Sequence, residues 1–179
     1  MHKQLPRCLI ATSIGIGATV SLCAAAAASG AIEMASGDAC KLLTAAQVST
    51  VLGVQADEGT YSIPGNTQFC TWREHGKPQI TAQNVQVHLL TAHQYEAPKA
   101  TPFAKGSESG LGDEAYWSNT PGFGFALSVK KGGKYFRVQS RPIPEGVTRK
   151  SDSAADKAKW EEKEKAVEKA IAPQVLKNL

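Results

Sequence analysis

The stretch FALSVKKGGKYFRVQS, residues 125–140, decides the fold. Residues 125–130 and 135–140 alternate apolar and polar side chains on either side of Gly132-Gly133, a pair suited to a two-residue hairpin turn. The register follows from the turn. Val129 is expected opposite Phe136 and Leu127 opposite Val138 on one side, with Lys130 opposite Tyr135 and Ser128 opposite Arg137 on the other. One side is apolar and the other wet, so a further element must cover the apolar side.

The C-terminal segment is the expected cover. Ser153 and Asp156 form a capping pair, and Val167, Ile171, Val175 and Leu179 fall every fourth residue in an apolar stripe. Pro173 interrupts the stripe, which predicts a kink or a restart, with Pro173 in the first turn of a final short helix. The mixed charges of residues 157–169, with Glu161 and Lys165 in the favourable i,i+4 order, read as a solvated helix face.

Upstream of the hairpin, residues 69–74 read as a strand with Cys70 and Trp72 on one face. A turn at residues 76–78 leads to a second strand ending at Thr91, with Val85, Val87 and Leu89 on one side and Gln86 and His88 on the other. Residues 95–112, rich in Pro, Lys, Ser and Gly, read as a long connection holding at most one helical turn, and a third strand begins at residues 115–117. Residues 61–67, with Pro64, Gly65 and Asn66, read as a loop. Nearer the N-terminus a short helix is marked by Thr44 as N-cap and Gln47 as its capping-box partner, by Leu43 and Val48 as a hydrophobic staple, and by Gly53 as the stop.

The first residues read as an export signal spanning residues 1–28. His2, Lys3 and Arg7 make a positive start, residues 9–22 an apolar middle, and residues 24–28 a run of small residues that fits cleavage after Ala28. An uncleaved anchor is the competing reading, since residues 8–28 are nearly long enough to cross a bilayer. Against it stand Thr12, Ser13, Gly15, Gly17, Thr19 and Ser21, which make the run only weakly hydrophobic. A lipid anchor on Cys23 is opposed by Leu22, where such sites want a small residue. A flexible leader, residues 29–39, would then join a single domain, residues 40–179. This places the chain in the periplasm or outside the cell.

Setting aside Lys3 and Arg7 leaves 18 basic and 16 acidic residues, a net of +2, which speaks against a nucleic-acid or membrane-surface partner. Setting aside Cys8 and Cys23 leaves Cys40 and Cys70 as a pair in an oxidising compartment. A disulfide between them would stabilise the fold by about 3–4 kcal/mol through chain entropy. Two free thiols or a two-ligand metal corner are the alternatives; with no CxxC and no adjacent histidine pair, the sequence favours the disulfide.

No catalytic motif stands out. In residues 106–110, GSESG, serines flank the centre, so this is not a nucleophile elbow. Neither a phosphate-cradling loop nor a dinucleotide fingerprint occurs, and no cofactor is expected. His75, His88 and His93 read as surface histidines, and no metal site is expected. Asp113-Glu114 is the most suggestive acidic pair, yet neighbours on a strand point to opposite faces; a structural role for Asp113, bonding the glycine-loop backbone, is the stronger reading. Among Tyr61, Trp117, Phe123 and Tyr135, the register sets Tyr135 apart. It lies on the wet face between Lys130 and Arg137, and these three residues form the candidate binding surface.

Residues 40–44 (CKLLT), 70–72 (CTW) and 110–117 (GLGDEAYW), in that order and spacing, resemble a bacterial family of exported, often lipid-anchored, small domains of unknown function. The likeness runs from Cys40 to the final helix. It implies an α+β domain and a Cys40–Cys70 bridge, and it transfers no catalytic residues. Leu22-Cys23 departs from the lipid-anchored members.

The resulting expectation is an α+β domain: a mostly antiparallel sheet of four to six strands, a short N-terminal helix, and a longer C-terminal helix on one face. The expected function is a non-enzymatic binding or interaction module of the bacterial envelope, its partner an envelope protein or a small ligand. Two alternatives stay open: an envelope enzyme or inhibitor with a cleft near Asp113 and Glu114, and a small-ligand carrier with an apolar cavity under the C-terminal helix.

Overall fold

The hairpin forms in the expected register. In the computed structural model, which describes residues 35–147 and 153–179, strands β6 (Gly124–Lys131) and β7 (Lys134–Arg141) pair antiparallel with Val129 opposite Phe136 and Leu127 opposite Val138. Gly132 and Gly133 take φ values of 54° and 80°, the left-handed conformations that a tight hairpin demands at both positions. The signal expected over residues 1–28, and residues 29–34 of the leader, lie outside the described residues. Among the described residues, no helix is long and apolar enough to cross a membrane.

Five more strands extend the hairpin on both sides: β1 (Thr60–Tyr61), β2 (Phe69–Arg73), β3 (Asn84–Leu90), β4 (Ala104–Glu108) and β5 (Glu114–Thr120). The sheet is antiparallel throughout, in the order β1-β2-β3-β7-β6-β5-β4. Seven strands exceed the four to six expected, and β1 and β4 are the two that fall in segments expected to be loops. Both are edges. β1 is two residues long, and β4 is the polar run AKGSE with an irregular register between Ala104 and Gly106. Edge strands shed the apolar alternation by which strands are read, because nothing pairs beyond them and an apolar edge invites aggregation.

The inner face is a set of cross-strand rows. One runs Cys70–Val87–Val138–Leu127–Trp117 across five strands, and all five side chains are buried. Helix α3 (Ala154–Asn178) packs over β6 and β7. Its Val167, Ile171 and Val175 join that core, each worth about 1.5–3 kcal/mol when withdrawn from water. Ser153 caps it as read from sequence, its hydroxyl accepting from the Asp156 N–H at 3.1 Å. The expected restart at Pro173 does not occur: α3 is continuous from Ala154 to Asn178. Pro173 and Lys169 both face solvent, so water can satisfy the Lys169 carbonyl left without its helical donor, while Ile171, Ala172 and Val175 hold the inner side on the sheet.

Helix α1 (Ala45–Leu52) has the Thr44–Gln47 capping box, with both reciprocal bonds present, and ends at a left-handed Gly53. Cys40 and Cys70 are disulfide-bonded across 30 residues, tying the turn before α1 to β2 and fitting an oxidising, extracytoplasmic setting. Packing begins before Cys40. Ala39 is fully buried and donates its N–H to Thr67, and the Ala35 carbonyl accepts from the Gln68 amide.

Candidate functional site

The acidic pair is used for construction. In the segment GLGDEAYW, Leu111 is buried and Gly112 lies so close to β6 that a Cβ there would come within 2.3 Å of the Lys130 carbonyl oxygen. Asp113 accepts from the Gly132 N–H at 2.7 Å through its carboxylate and donates its own N–H to Lys130 at 2.8 Å. The Gly132 bond, with help from the Lys131 ammonium, holds the Asp113 carboxyl below its ordinary range. Asp113 therefore bonds glycine backbone as expected, but that of the hairpin turn rather than of its own loop. Glu114 pairs with Lys99 at 2.6 Å. Among the described residues no histidine accompanies them: His75 pairs with Asp57, His88 lies on the outer face beside Phe69, and His93 belongs to helix α2 (Ala92–Glu96). The described residues hold no group of three His, Cys, Asp or Glu side chains placed to share a metal.

The outer face of the sheet is a lattice of rows. The row nearest the hairpin turn is Leu90–Tyr135–Lys130–Glu114, followed by Phe69–His88–Arg137–Ser128–Tyr116, then Thr71–Gln86–Gln139–Ala126–Ser118, then Arg73–Asn84–Arg141. The three residues singled out from sequence share this face. Lys130 and Tyr135 are cross-strand partners, with the ammonium 5.9 Å from the ring centre, and the Arg137 Nε donates to Ser128 Oγ at 3.1 Å.

Tyr135 is nevertheless half-covered, because α2 folds back over this end. Thr91 and Gln94 form a second capping box, and the helix they start delivers Tyr95 onto Tyr116 and Tyr135, with 5.2 Å between ring centres in each case. Tyr95 donates its hydroxyl to the Glu114 carbonyl at 3.2 Å, and Tyr116 donates to the Tyr95 carbonyl at 2.7 Å. Burial, aided by nearby Glu114, pushes the Tyr95 hydroxyl up. Of the other aromatics considered, Trp117 is buried and donates to Glu108 at 3.0 Å, Tyr61 donates to Asp38 at 3.0 Å on an exposed edge, and Phe123 stands 62% exposed.

The opposite end of the face is open. A groove of about 400 Å³ lies over the last two rows, with Arg73 and Arg141 on its flanks, Asn84, Gln86 and Gln139 on its floor, and Phe123 at its rim. Arg73 lends one N–H to Thr60 Oγ1 at 3.2 Å and Arg141 one to the Gly122 carbonyl at 3.4 Å; each fork keeps further donors, since a guanidinium has five. Among the described residues, no carboxylate pairs with Arg73, Arg137 or Arg141. Glu164 of α3 feels the charge of Arg141 but lies beyond ion-pair distance. Beside the groove, burial and the charge of Arg137 both lower the His88 pKa, which favours the neutral ring. Arg73, Asn84 and Arg141 were not identified from sequence. Their shared outward parity was visible strand by strand, but the row they form requires knowing that β3 lies between β2 and β7.

No family model, no curated protein and no solved structure matches this chain.

Proposed function

We propose that this chain is a non-enzymatic binding module of the bacterial envelope, exported by an N-terminal signal, and that it engages its partner through the outer face of the sheet. One observation carries the reading: an open groove of about 400 Å³ flanked by arginines that have no carboxylate partner among the described residues. The motif likeness to exported bacterial domains of unknown function and the Cys40–Cys70 disulfide support the envelope setting. The engagement of Asp113 and Glu114 in holding the hairpin turn and Lys99 weighs against a cleft enzyme at that pair. The continuous apolar cluster formed by α3 and the sheet weighs against a carrier cavity beneath the helix.

Capture of partners from periplasmic extract tests this reading. Tyr135→Ala with Arg137→Ala, and separately Arg73→Ala with Arg141→Ala, are expected to deplete the captured set. If both pairs capture what the parent chain captures, the outer face is the wrong surface.

A further inference from the structure

We infer that the groove on the outer sheet face takes an anionic saccharide, a sugar bearing carboxylate or phosphate groups. The inference rests on the proposed binding surface and names its ligand class. It follows from what each part of the groove can recognise.

The flanks select charge. Arg73 and Arg141 are both register partners of Asn84, one on each side, so their backbones stand two strand spacings apart, about 9–10 Å. Planar guanidinium forks match carboxylate and phosphate oxygens in pairs, which a lysine ammonium cannot do. Among the described residues neither fork is ion-paired, although the Arg141 charge reaches Glu164 of α3; with Arg137 two rows from them, the two forks supply the positive charge of the groove.

The floor selects hydroxyls. Asn84, Gln86 and Gln139 present amides, and each amide both donates and accepts. A sugar hydroxyl has the same dual character. The amides are already aligned by their neighbours: the Gln139 amide donates to the Phe123 carbonyl, and Gln86 donates to Asn84 at 3.5 Å. Thr71, buried in the same row as Gln86 and Gln139, is hydrogen-bonded to Ser62 at 2.6 Å.

The rim offers an apolar plate. Phe123 is 62% exposed in a turn next to Arg141, and Phe69 is half-buried across the groove. A bare phenyl ring beside polar groups suits the C–H face of a sugar, whose edges are polar and whose faces are not. The volume falls within the range of small-ligand sites, about 300–1,000 Å³.

The test titrates the purified full chain with tetragalacturonate, with glucose 6-phosphate, and with uncharged maltotetraose, read by calorimetry. At least one anionic probe is expected to bind with a Kd below about 1 mM, with maltotetraose at least about tenfold weaker. The stronger of the two anionic probes identifies carboxylate or phosphate as the group read by the forks. Arg73→Gln with Arg141→Gln is expected to weaken that binding at least about tenfold. Arg73→Lys with Arg141→Lys should restore only part of it, and unchanged melting curves confirm that the variants are folded. The inference falls if neither anionic probe binds at about 10 mM, if maltotetraose binds as well, or if the glutamine pair binds like the parent. The periplasmic capture separates the two failures. Absent saccharide binding with arginine-dependent protein capture overturns the ligand class and keeps the surface, whereas loss of both overturns both.

Discussion

Glu168 is the residue whose replacement tests the packing of this fold most directly. It lies on the inner side of α3 with no exposure to solvent, and its Oε1 accepts from Ser140 on β7 twice, from the N–H at 2.9 Å and from the hydroxyl at 3.2 Å. Its Oε2 has no partner among the described residues. Burial pushes this carboxyl well above its ordinary pKa; the Ser140 N–H pulls the other way, and the charge of neighbouring Glu164 adds to the rise. Glu168→Ala leaves the Ser140 N–H buried without an acceptor, a loss of about 1–3 kcal/mol, and opens a void worth about a further 1–2 kcal/mol. The Ser140 hydroxyl can turn to the Glu164 carbonyl, 3.4 Å away, so it adds little. A total of about 2–5 kcal/mol lowers the urea midpoint by about 1–3 M. The pH dependence has a definite sign. Because the folded pKa is raised, the folded state holds its proton where the unfolded state has released it. The contribution of Glu168 to stability is therefore greatest below its unfolded pKa of about 4.3 and declines as pH rises towards the folded value, by up to about 1.4 kcal/mol per pH unit. Glu168→Gln, neutral at every pH, should remove that decline, while Glu164, whose half-buried carboxyl is raised in the same direction, keeps its own. Urea unfolding of the parent and both variants from pH 4 to pH 8 measures this. A Glu168→Gln profile parallel to the parent, or Glu168→Ala within about 0.5 kcal/mol of it at pH 4, would refute the account of a buried protonated acid tying α3 to β7.

Two further outcomes follow from single contacts. Gly112→Ala should destabilise by more than about 2 kcal/mol and Gly110→Ala by only about 1 kcal/mol, because both glycines have positive φ but only at Gly112 would the added carbon meet backbone; equal melting temperatures for the two would contradict the close approach to Lys130. The chain from Ser29 onward should show no free thiol until reduced and two afterwards, and Cys40→Ser with Cys70→Ser should cost about 3–4 kcal/mol in chemical unfolding; two reactive thiols in oxidised, folded protein would exclude the bridge.

What is legible in the sequence is whatever depends on neighbours along the chain. The hairpin register needs only a turn and a period of two, and the Thr44 capping box needs only four residues. The same four-residue pattern stands at Thr91–Gln94, yet alternation carries a strand up to Thr91 and the Pro- and Gly-rich composition beyond it suggests a connection. That passes over the helix which covers Tyr135. Glu168 looks like one charge among many because residues 157–169 mix both signs. Its burial depends on which side of α3 meets β7 and on Ser140 having a free N–H beneath it, facts of tertiary packing with no local trace. The arginine row is hidden for a related reason. Arg73 and Arg141 are 68 positions apart in sequence, and only the strand order β2-β3-β7 makes them neighbours of one asparagine.

The cover supplied by α2 also decides what the outer face can do. Alternation alone leaves this face wet from end to end, with Tyr135 and Arg137 equally available. Once Tyr95 packs on Tyr116 and Tyr135, and Lys99 pairs with Glu96 and Glu114 above them, the aromatic end is closed by its own groups. The open end keeps guanidiniums, amides and a single bare ring. Recognition there combines charge and hydrogen bonding with the apolar surface of Phe123 and of Ile80, which stands 84% exposed beside Arg73 and Arg141. Affinity at such a site falls as salt rises, because exposed charges about 10 Å apart are screened over a Debye length of similar size at 0.1 M ionic strength. An apolar ligand packed on the tyrosine cluster would show the opposite, a binding constant nearly independent of salt. The salt dependence of whatever binds therefore assigns it to one end of the sheet or the other.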